Sequence, residues 1–334
     1  MTSLKGRLIF FVLRNRHLLK FHLKKETWDW NTSIPRFRQE CEDGAKKAGK
    51  LPDGIAVNQV TIPGLPDGLS AEWIRPSSSA VAPAADEPVI FYIHGGGYVS
   101  GSCADHRNVV AMIVKQSGIR ALLFEYRLAP EHPFPAAMHD SLTAYHWLLA
   151  QGVSPSKIVI FGESAGGGLC LATLLTLKDE GMPLPAAGVA LSPWTDLKLT
   201  GESYRTRAKV CLSPTGMSKV CSKYYYGEQD PANPWISPLY GDLHGLPPLL
   251  INVGNDETMR DDSIRFAEKA QAAGVNTILK VAEGMGHCYP LLAPLFPEAT
   301  QAMHEICAFM QESLLAGAEH ASARVLSPIL STAA

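Results

Sequence analysis

The fold is decided by the stretch Ile158-Val159-Ile160-Phe161-Gly162-Glu163-Ser164-Ala165-Gly166-Gly167. Its first four residues are apolar and mostly β-branched, as in a buried strand, and the residues from Ala165 to Leu177 predict a helix. Between them lies the pattern G-x-S-x-G, in which small residues flank the serine because the sharp turn has no room for larger side chains. The N-terminus of the helix would direct N–H groups toward an oxyanion formed at Ser164. The stretch therefore predicts a nucleophilic serine at a strand-to-helix turn.

A second glycine-rich turn lies upstream of the serine. Val89–Ile93 has the pattern of another buried strand, and His94-Gly95-Gly96-Gly97 follows it directly. Consecutive glycines allow the backbone to approach a bound acyl group closely and to turn N–H donors toward it. The two motifs are independent, and each follows a predicted strand. Their order along the chain is that of serine hydrolases, so together they indicate an enzyme of this class.

The composition is that of a globular protein with a sizeable core. The 334 residues are enough for one large α/β domain or two modest ones, and 46% are hydrophobic against 19% charged. A net charge of −2 gives no electrostatic reason to expect a nucleic-acid partner. Seven cysteines are scattered without C-x-x-C spacing, which predicts neither a disulfide framework nor a zinc site and favours a reducing cytoplasm.

The N-terminal segment contains a short apolar run, Leu8–Leu13, with basic residues on both sides. The run is too short to span a bilayer, and no cleavage pattern of a signal peptide follows it. Its spacing predicts a basic amphipathic helix. Such a helix could attach to a membrane surface or pack over the catalytic domain, and we favour packing because a basic face is usually only solvated.

Short apolar runs alternate with helical segments from about residue 55 onward. The predicted strands after Val89–Ile93 are Ala121–Glu125, Ile158–Phe161, Ala187–Leu191, Leu249–Val253 and Thr277–Val281. Strands of this kind separated by helices indicate an α/β fold with a mostly parallel, doubly wound sheet that is buried on both faces. Right-handed crossovers place the carboxyl ends of the strands, and therefore the site, along one edge.

Two stretches do not follow this alternation. One is residues 1–50, which are largely helical and charged, and the other runs from Leu197 to about Pro234. An insertion between two strands would project over the strand ends as a lid. Its aromatic residues could line an acyl pocket or hold the lid together, and the sequence does not choose between these roles; they are Tyr204, Tyr224, Tyr225 and Tyr226.

A serine hydroxyl needs a base to take its proton and an acid to orient that base. Of eleven histidines, His287 lies in a glycine-flanked loop just after Thr277–Val281, which is the expected position of the base in the order nucleophile, acid, base. The acid should follow the strand Leu249–Val253. From position alone, either Asp256 or Glu257 could reach the imidazole.

Several segments together closely resemble the hormone-sensitive-lipase-like family of microbial esterases, over about residues 55 to 315. The longest are His94–Gly97, Tyr126–Ala137 and Gly162–Gly167, and the shorter ones are Ser237-Pro238-Leu239, Leu246-Pro247-Pro248 and His287. The combination is highly specific for the family, although each segment alone is not. The resemblance implies an α/β-hydrolase fold with a helical cap. The cap would comprise residues 1–50 and an insertion at about 197–234 in a catalytic domain of residues 51–334.

The resemblance also assigns the acid. The family usually has Asp-Pro-Leu-Arg-Asp here, and matching Arg260-Asp261 to its last two residues places Glu257 at the catalytic position. Thr258 and Met259 depart from the usual Pro-Leu, but a branch of the family uses Glu as the acid. Asp256 would then face solvent or a helix N-terminus.

The oxyanion hole, by the same resemblance, consists of the backbone N–H groups of Gly96, Gly97 and Ala165. His94 is expected to brace the glycine loop rather than to take part in catalysis. Glu163 replaces the Asp that the family often has before the serine, which conserves the charge.

These features together predict a cytoplasmic carboxylic ester hydrolase that acts on short- to medium-chain acyl esters, and on lactones by the same chemistry. An amidase or peptidase would use the same triad, and a small-molecule receptor of this fold would lack the catalytic histidine. The expected partner is a small-molecule ester, with no metal or organic cofactor, no nucleic acid and no integral membrane segment. Association into a homodimer stays open.

Overall fold

The computed structural model describes residues 2–15, 26–47, 50–84 and 86–326. Its centre is an eight-stranded sheet in the order β1-β2-β4-β3-β5-β6-β7-β8. The strands are β1 Ile55–Ile62, β2 Leu69–Pro76, β3 Val89–Ile93, β4 Arg120–Phe124, β5 Ile158–Glu163, β6 Ala187–Leu191, β7 Leu249–Gly254 and β8 Thr277–Ala282. Strands β3 to β8 are parallel, whereas β2 pairs antiparallel with both β1 and β4.

Helices cover both faces of this sheet. Within the described residues they are α1 Leu4–Arg14, α2 Ile34–Lys47, α3 Cys103–Ser117, α4 Ala136–Ala150, α5 Ala165–Asp179, α6 Ser203–Thr206, α7 Met217–Tyr226, α8 Arg260–Ala272 and α9 Pro297–Leu326. Helices α4, α5 and α8 pack into the core on one face, and α3 and α9 pack into the core on the other. The central strands β3 to β7 are buried along their whole length because helices cover both sides.

The predicted α/β-hydrolase fold is confirmed, and all six predicted strands are present within one or two residues of the expected bounds. The sequence analysis did not identify β1 and β2, the antiparallel hairpin at the edge of the sheet. In β1 buried, half-buried and exposed positions are mixed, so the strand has no continuous apolar run. Edge strands that are only partly covered carry a weaker sequence signal than buried parallel strands.

The two stretches outside the alternation lie together. Helices α1 and α2 precede the sheet, and α6 and α7 lie in the insertion between β6 and β7. A bridge between Thr27 and Thr215 joins them, and the N–H of Trp28 donates to the carbonyl of Thr215 at 2.8 Å. This contact supports the expectation of one cap built from both stretches, whose boundaries stay a prediction.

Helix α1 also packs against the catalytic domain, as the sequence analysis favoured. Phe10 is 1% exposed and lies in a small apolar cluster with Met285, Tyr289 and Phe296. A side chain at Gly286 would meet the ring of Phe10 at 2.6 Å, so the two segments are in close contact. The described residues include no helix that is both long and apolar enough to cross a membrane.

Candidate active site

Ser164 lies at the sharp turn between β5 and α5, where the strand ends and the helix begins. Its φ of 57° is unfavourable for a residue with a side chain, and the surrounding hydrogen bonds hold it there. Its N–H donates to Leu191 at 2.8 Å, and its carbonyl accepts from Trp194 at 3.0 Å. A Cβ at Gly162 would lie 2.1 Å from the carbonyl oxygen of Gly166. The small residues of the motif are therefore required by close backbone contacts.

Two further side chains form a continuous hydrogen-bonded chain with this serine. His287 Nε2 lies 2.9 Å from Ser164 Oγ, and His287 Nδ1 lies 2.6 Å from Glu257 Oε2. The serine follows β5, the glutamate follows β7 and the histidine follows β8. Three parallel strands thus deliver the three groups to one edge of the sheet.

The second carboxylate oxygen of Glu257 is also held. Oε1 accepts from the N–H of Gly254 at 2.7 Å and from the hydroxyl of Ser192 at 2.7 Å, and the side chain is fully buried. Ser192 Oγ in turn accepts from the N–H of Cys288 at 3.0 Å, directly beside the histidine. The sequence analysis missed Ser192, since a serine after a strand carries no local signal that distinguishes it.

The environment of His287 shifts its proton affinity upward. Burial of the imidazole opposes protonation, whereas the adjacent Cys288 and the carboxylate of Glu257 favour it, and the net effect raises the pKa of His287 well above the usual 6.5. Burial also raises the pKa of the Cys288 thiol, although the imidazole beside it acts in the opposite direction. The carboxylate of Glu257, hydrogen-bonded to Nδ1, is the group that orients the imidazole.

Asp256, the alternative acid, points to a different part of the molecule. Its carboxylate forms an ion pair with Arg14 of helix α1, and Arg207 Nη1 lies 3.9 Å from its other oxygen. The expectation that Asp256 faces solvent or a helix N-terminus is therefore wrong. The adjacent residues Asp256 and Glu257 have separate roles, because one ties α1 to the loop and the other contacts the imidazole.

The glycine loop after β3 has the conformation that only glycine adopts readily. Gly96 has a φ of 115° and Gly97 a φ of 66°. A Cβ at Gly96 would lie 2.1 Å from the carbonyl oxygen of Ser100. No hydrogen bond within the described part of the chain uses the N–H groups of Gly96, Gly97 or Ala165. The described residues therefore leave these three donors unused, and Gly96 and Gly97 line a cavity that reaches Ser164.

Glu163 holds the start of this loop. Its buried carboxylate accepts from the N–H of Gly95 at 2.7 Å and from the hydroxyl of Tyr92 at 3.2 Å. His106 Nε2 of helix α3 lies 3.2 Å from the same oxygen. Burial lowers the pKa of His106, but the carboxylate outweighs this and raises it.

His94 stacks between two rings behind the loop. Its imidazole lies 4.1 Å from the ring of Tyr126 and 5.2 Å from that of His106, measured between centroids. Burial lowers the pKa of His94 to about 3, so the ring is neutral and Nδ1 donates to the carbonyl of Gly95 at 2.8 Å. These contacts support the expected bracing role.

A cavity of about 320 Å³ opens onto Ser164 and His287. Its remaining walls come from segments that are far apart in the sequence and include Gly96, Gly97, Asp105, His106, Val109, Glu163, Trp194, Ser213, Met217, Ser218, Cys221, Met259, Cys288 and Leu291. The sequence analysis identified the two glycines of this wall but not Val109, Leu291 or the residues of the cap. Their positions depend on how distant segments pack.

The tyrosines of the insertion do not line this cavity. Tyr225 stacks on Tyr98 with ring centroids 3.7 Å apart, and the hydroxyl of Tyr204 donates to Asp262 at 3.0 Å. Tyr224 contacts Trp30 of the N-terminal stretch. Tyr224 therefore holds the two stretches of the cap together, whereas Tyr225 and Tyr204 fix the insertion to the catalytic domain.

The described residues contain no group of three or more histidine, cysteine, aspartate or glutamate side chains placed to bind a metal ion. All seven cysteines are free thiols. Ser164, His287 and Glu257 place a hydroxyl, an imidazole and a carboxylate in contact at the site.

Comparisons of the sequence with known proteins agree with this arrangement. A family model described as the alpha/beta hydrolase fold matches residues 90–291. An acetyl-hydrolase of Streptomyces hygroscopicus is 38% identical over 72% of this chain and 79% of its own. An esterase of Acinetobacter venetianus is 37% identical over 72% of this chain and 78% of its own.

Solved structures are similar over nearly the whole chain. The crystal structure of EstE5 soaked with p-nitrophenyl butyrate has a TM-score of 0.81 at 39% identity, and covers 94% of this chain and 99% of its own. An esterase described as a member of the bacterial hormone-sensitive lipase family has a TM-score of 0.81 at 38% identity, with the same coverage. The chain therefore belongs to the hormone-sensitive-lipase-like family of esterases with the α/β-hydrolase fold.

Proposed function

We propose that the protein hydrolyses carboxylic esters through an acyl-enzyme on Ser164, with His287 as general base and Glu257 as the acid that orients it. The observation that carries this proposal is the continuous hydrogen-bonded chain from Ser164 Oγ through both imidazole nitrogens to Glu257. A nucleophile, a base and an orienting carboxylate in mutual contact are the requirement for acyl transfer. The similar proteins are named as an acetyl-hydrolase and as esterases.

Acylation begins when Ser164 Oγ attacks the ester carbonyl and His287 Nε2 takes the hydroxyl proton. The imidazolium that forms is stabilised by the buried carboxylate of Glu257, which also keeps the proton on Nδ1 in the resting enzyme. The oxyanion would accept hydrogen bonds from the N–H groups of Gly96, Gly97 and Ala165. Such preorganised donors contribute on the order of 3 kcal/mol each to transition-state stabilisation.

Collapse of the tetrahedral intermediate releases the alcohol, which takes the proton from His287 Nε2. Water then enters the position of the alcohol and attacks the acyl carbonyl while the same imidazole removes its proton. A second tetrahedral intermediate uses the same oxyanion donors. Its collapse returns the proton to Ser164 and releases the carboxylic acid.

The substrates that we infer are esters with acyl chains of about two to eight carbons, and lactones. The cavity of about 320 Å³ lies at the lower end of the range for small-molecule sites, roughly 300–1,000 Å³, and suits a small ester. A similar structure was soaked with a butyrate ester. Met217 and Cys221 of the cap line the cavity and lie beside Gly97.

A panel of p-nitrophenyl esters from acetate to palmitate, with one lactone and one anilide, tests the proposal. We expect the highest kcat/KM among acyl chains of two to eight carbons and a steep loss for palmitate. The anilide separates ester from amide hydrolysis, because the triad alone is common to both. A palmitoyl ester that reacts faster than butyrate at equal concentration would contradict the proposed pocket.

For the cellular setting we propose the cytoplasm, with a small-molecule ester as the partner. Seven unpaired thiols, five of them buried, fit a reducing compartment better than an oxidising one. Blocking free thiols in lysed cells before and after reduction would report their state. Reversibly oxidised cysteines in the freshly isolated protein would contradict this placement.

A further inference from the structure

Helix α1 has a second face that the catalytic domain does not cover. Gly6 and Phe10 are buried against the domain, whereas four large apolar side chains on the other side are exposed. Their exposed fractions are 83% for Leu4, 61% for Leu8, 64% for Phe11 and 44% for Val12. Scattered surface leucines are ordinary, but four on a single eleven-residue helix form a patch.

The four side chains form one stripe along the helix, which we call the α1 stripe. With about 100° between successive residues, Phe11, Leu4, Leu8 and Val12 span an arc of about 100°. Arg7 borders this arc on one side and Lys5 on the other, and both are exposed. The helix contains no acidic residue. An apolar stripe with a cation on each border is the pattern of a helix that lies in a lipid interface.

The opposite face fixes the stripe in place near the site. Phe10 packs against Gly286, next to His287, and Arg14 pairs with Asp256, next to Glu257. The amide and hydroxyl of Ser3 contact the carboxylate of Glu298 at the start of the helix. Since α1 is held at both ends, its exposed stripe is a fixed surface on the active-site edge of the molecule.

We propose that the α1 stripe docks on the surface of an anionic phospholipid bilayer, where it would hold the esterase beside membrane-dissolved esters. The apolar side chains would enter the acyl boundary while Lys5 and Arg7 contact the lipid phosphates. Each cation near an anionic membrane surface adds attraction that salt screens. The shallow, convex stripe suits peripheral binding, and the inference goes beyond ester hydrolysis itself.

A second copy of the chain is a weaker fit to the same surface. A patch on the order of a few hundred Å² is well below the ~800 Å² per partner that a stable interface buries. Two-fold pairing through the stripe would also bring the cationic borders of both copies together, with no acidic residue on α1 to offset them. Like charges at an interface oppose association.

Vesicle co-sedimentation of the full chain tests the proposal. Phosphatidylcholine vesicles are compared with vesicles that also contain phosphatidylglycerol, at low and high salt. Leu8→Ser with Phe11→Ser removes the centre of the stripe, and Lys5→Gln with Arg7→Gln removes its cationic borders. The matched control is Leu315→Ser, because Leu315 is 68% exposed and lies several turns along helix α9 from the contact between Glu298 and Ser3.

We expect the wild type and Leu315→Ser to sediment with the anionic vesicles and much less with phosphatidylcholine alone. The apolar double variant should lose binding by on the order of tenfold or more, and the charge variant should lose on the order of tenfold of its anionic preference. All variants should hydrolyse soluble p-nitrophenyl butyrate like the wild type, which shows that they are folded.

Three results would overturn the proposal. The first is a wild type that does not bind anionic vesicles, and the second is binding that is equal in the stripe variants. The third is a concentration-dependent dimer, seen by light scattering, that Leu8→Ser with Phe11→Ser dissociates, because the stripe would then belong to a second copy. A wild type without turnover of soluble ester would instead contradict the proposed function, and it would leave the vesicle measurement valid.

Discussion

Two buried glutamates support different parts of the site. Glu257 contacts the imidazole of His287 directly and is held by a backbone N–H and a hydroxyl. Glu163, the residue before the serine, contacts no group of the proposed triad and instead holds the N–H of Gly95 and the ring of His106. The first orients and stabilises the imidazole that takes the proton, and the second positions a backbone loop.

This difference predicts a hierarchy of effects. A carboxylate that stabilises an imidazolium in the transition state acts on charge that develops during the reaction, and that of Glu257 does so from a fully buried position. A carboxylate that fixes the start of a loop acts only through the positions of donors further along that loop. Replacing a glutamate by glutamine removes the charge but keeps a hydrogen-bonding side chain of the same size. This change should therefore reduce activity much more at Glu257 than at Glu163.

The largest effect is expected for Ser164→Ala, which removes the group that both halves of the site serve. Turnover of p-nitrophenyl butyrate should fall by on the order of 10⁴-fold or more. Alanine fits the small space at the turn, so circular dichroism and thermal unfolding should match the wild type. Near-normal turnover by a folded Ser164→Ala protein would end the serine-hydrolase proposal.

Glu257→Gln should have the next largest effect. Glutamine keeps the size of the side chain but favours the wrong imidazole tautomer and leaves the imidazolium without a counter-charge, so kcat should fall by on the order of 10³- to 10⁴-fold.

Asp256→Asn is the matched control for this change, since it alters the adjacent carboxylate in the same way. Its ion pair with Arg14 is partly exposed and is worth about 1 kcal/mol or less of stability. Activity should change little. If Asp256→Asn is the crippled variant and Glu257→Gln is nearly normal, the assignment of the acid is wrong by one residue.

The pH dependence of kcat/KM in the wild type reports the interaction between Glu257 and His287. Only the neutral imidazole accepts the serine proton, and the pKa of His287 is raised above 6.5 by Cys288 and Glu257 against the opposing effect of burial. The acidic limb of kcat/KM should therefore lie above pH 6.5, with activity rising as His287 loses its proton. In Glu257→Gln the limb of the residual activity should move to lower pH. A wild-type limb below pH 6.5 would contradict this electrostatic account.

The elements that carry local signals could be predicted from the sequence. Ile158–Phe161 is a continuous apolar run before a glycine-rich turn, and the structure places the strand and Ser164 as that pattern indicates. His287 follows from chain order, because parallel strands bring the loops after β5, β7 and β8 to one edge. The catalytic roles of these residues stay predictions until the variants are measured.

Contacts between distant segments could not be predicted in this way. Ser192 holds Glu257 across 65 positions, and Arg14 reaches Asp256 across 242. The presence of a serine or an arginine in the sequence does not indicate which distant residue it contacts. Choosing between Asp256 and Glu257 required the family's register, since both follow β7 and differ by one residue. In the structure Asp256 instead forms an ion pair with Arg14 of helix α1.

Glu163→Gln should have a smaller effect than Glu257→Gln, and it completes the comparison of the two glutamates. A glutamine oxygen can still accept from the N–H of Gly95, so the loop keeps its anchor, while the charge opposite His106 is lost. We expect kcat to fall by about tenfold, the size of one weakened charge-assisted hydrogen bond. The acidic limb should stay at the wild-type pH, because Glu163 does not contact His287. Glu163→Ala removes the anchor as well and should cost more than Glu163→Gln. If Glu163→Gln moved the acidic limb to lower pH as Glu257→Gln does, both carboxylates would affect the pKa of His287. The proposal that Glu257 acts on the imidazole and Glu163 on the glycine loop would then be wrong.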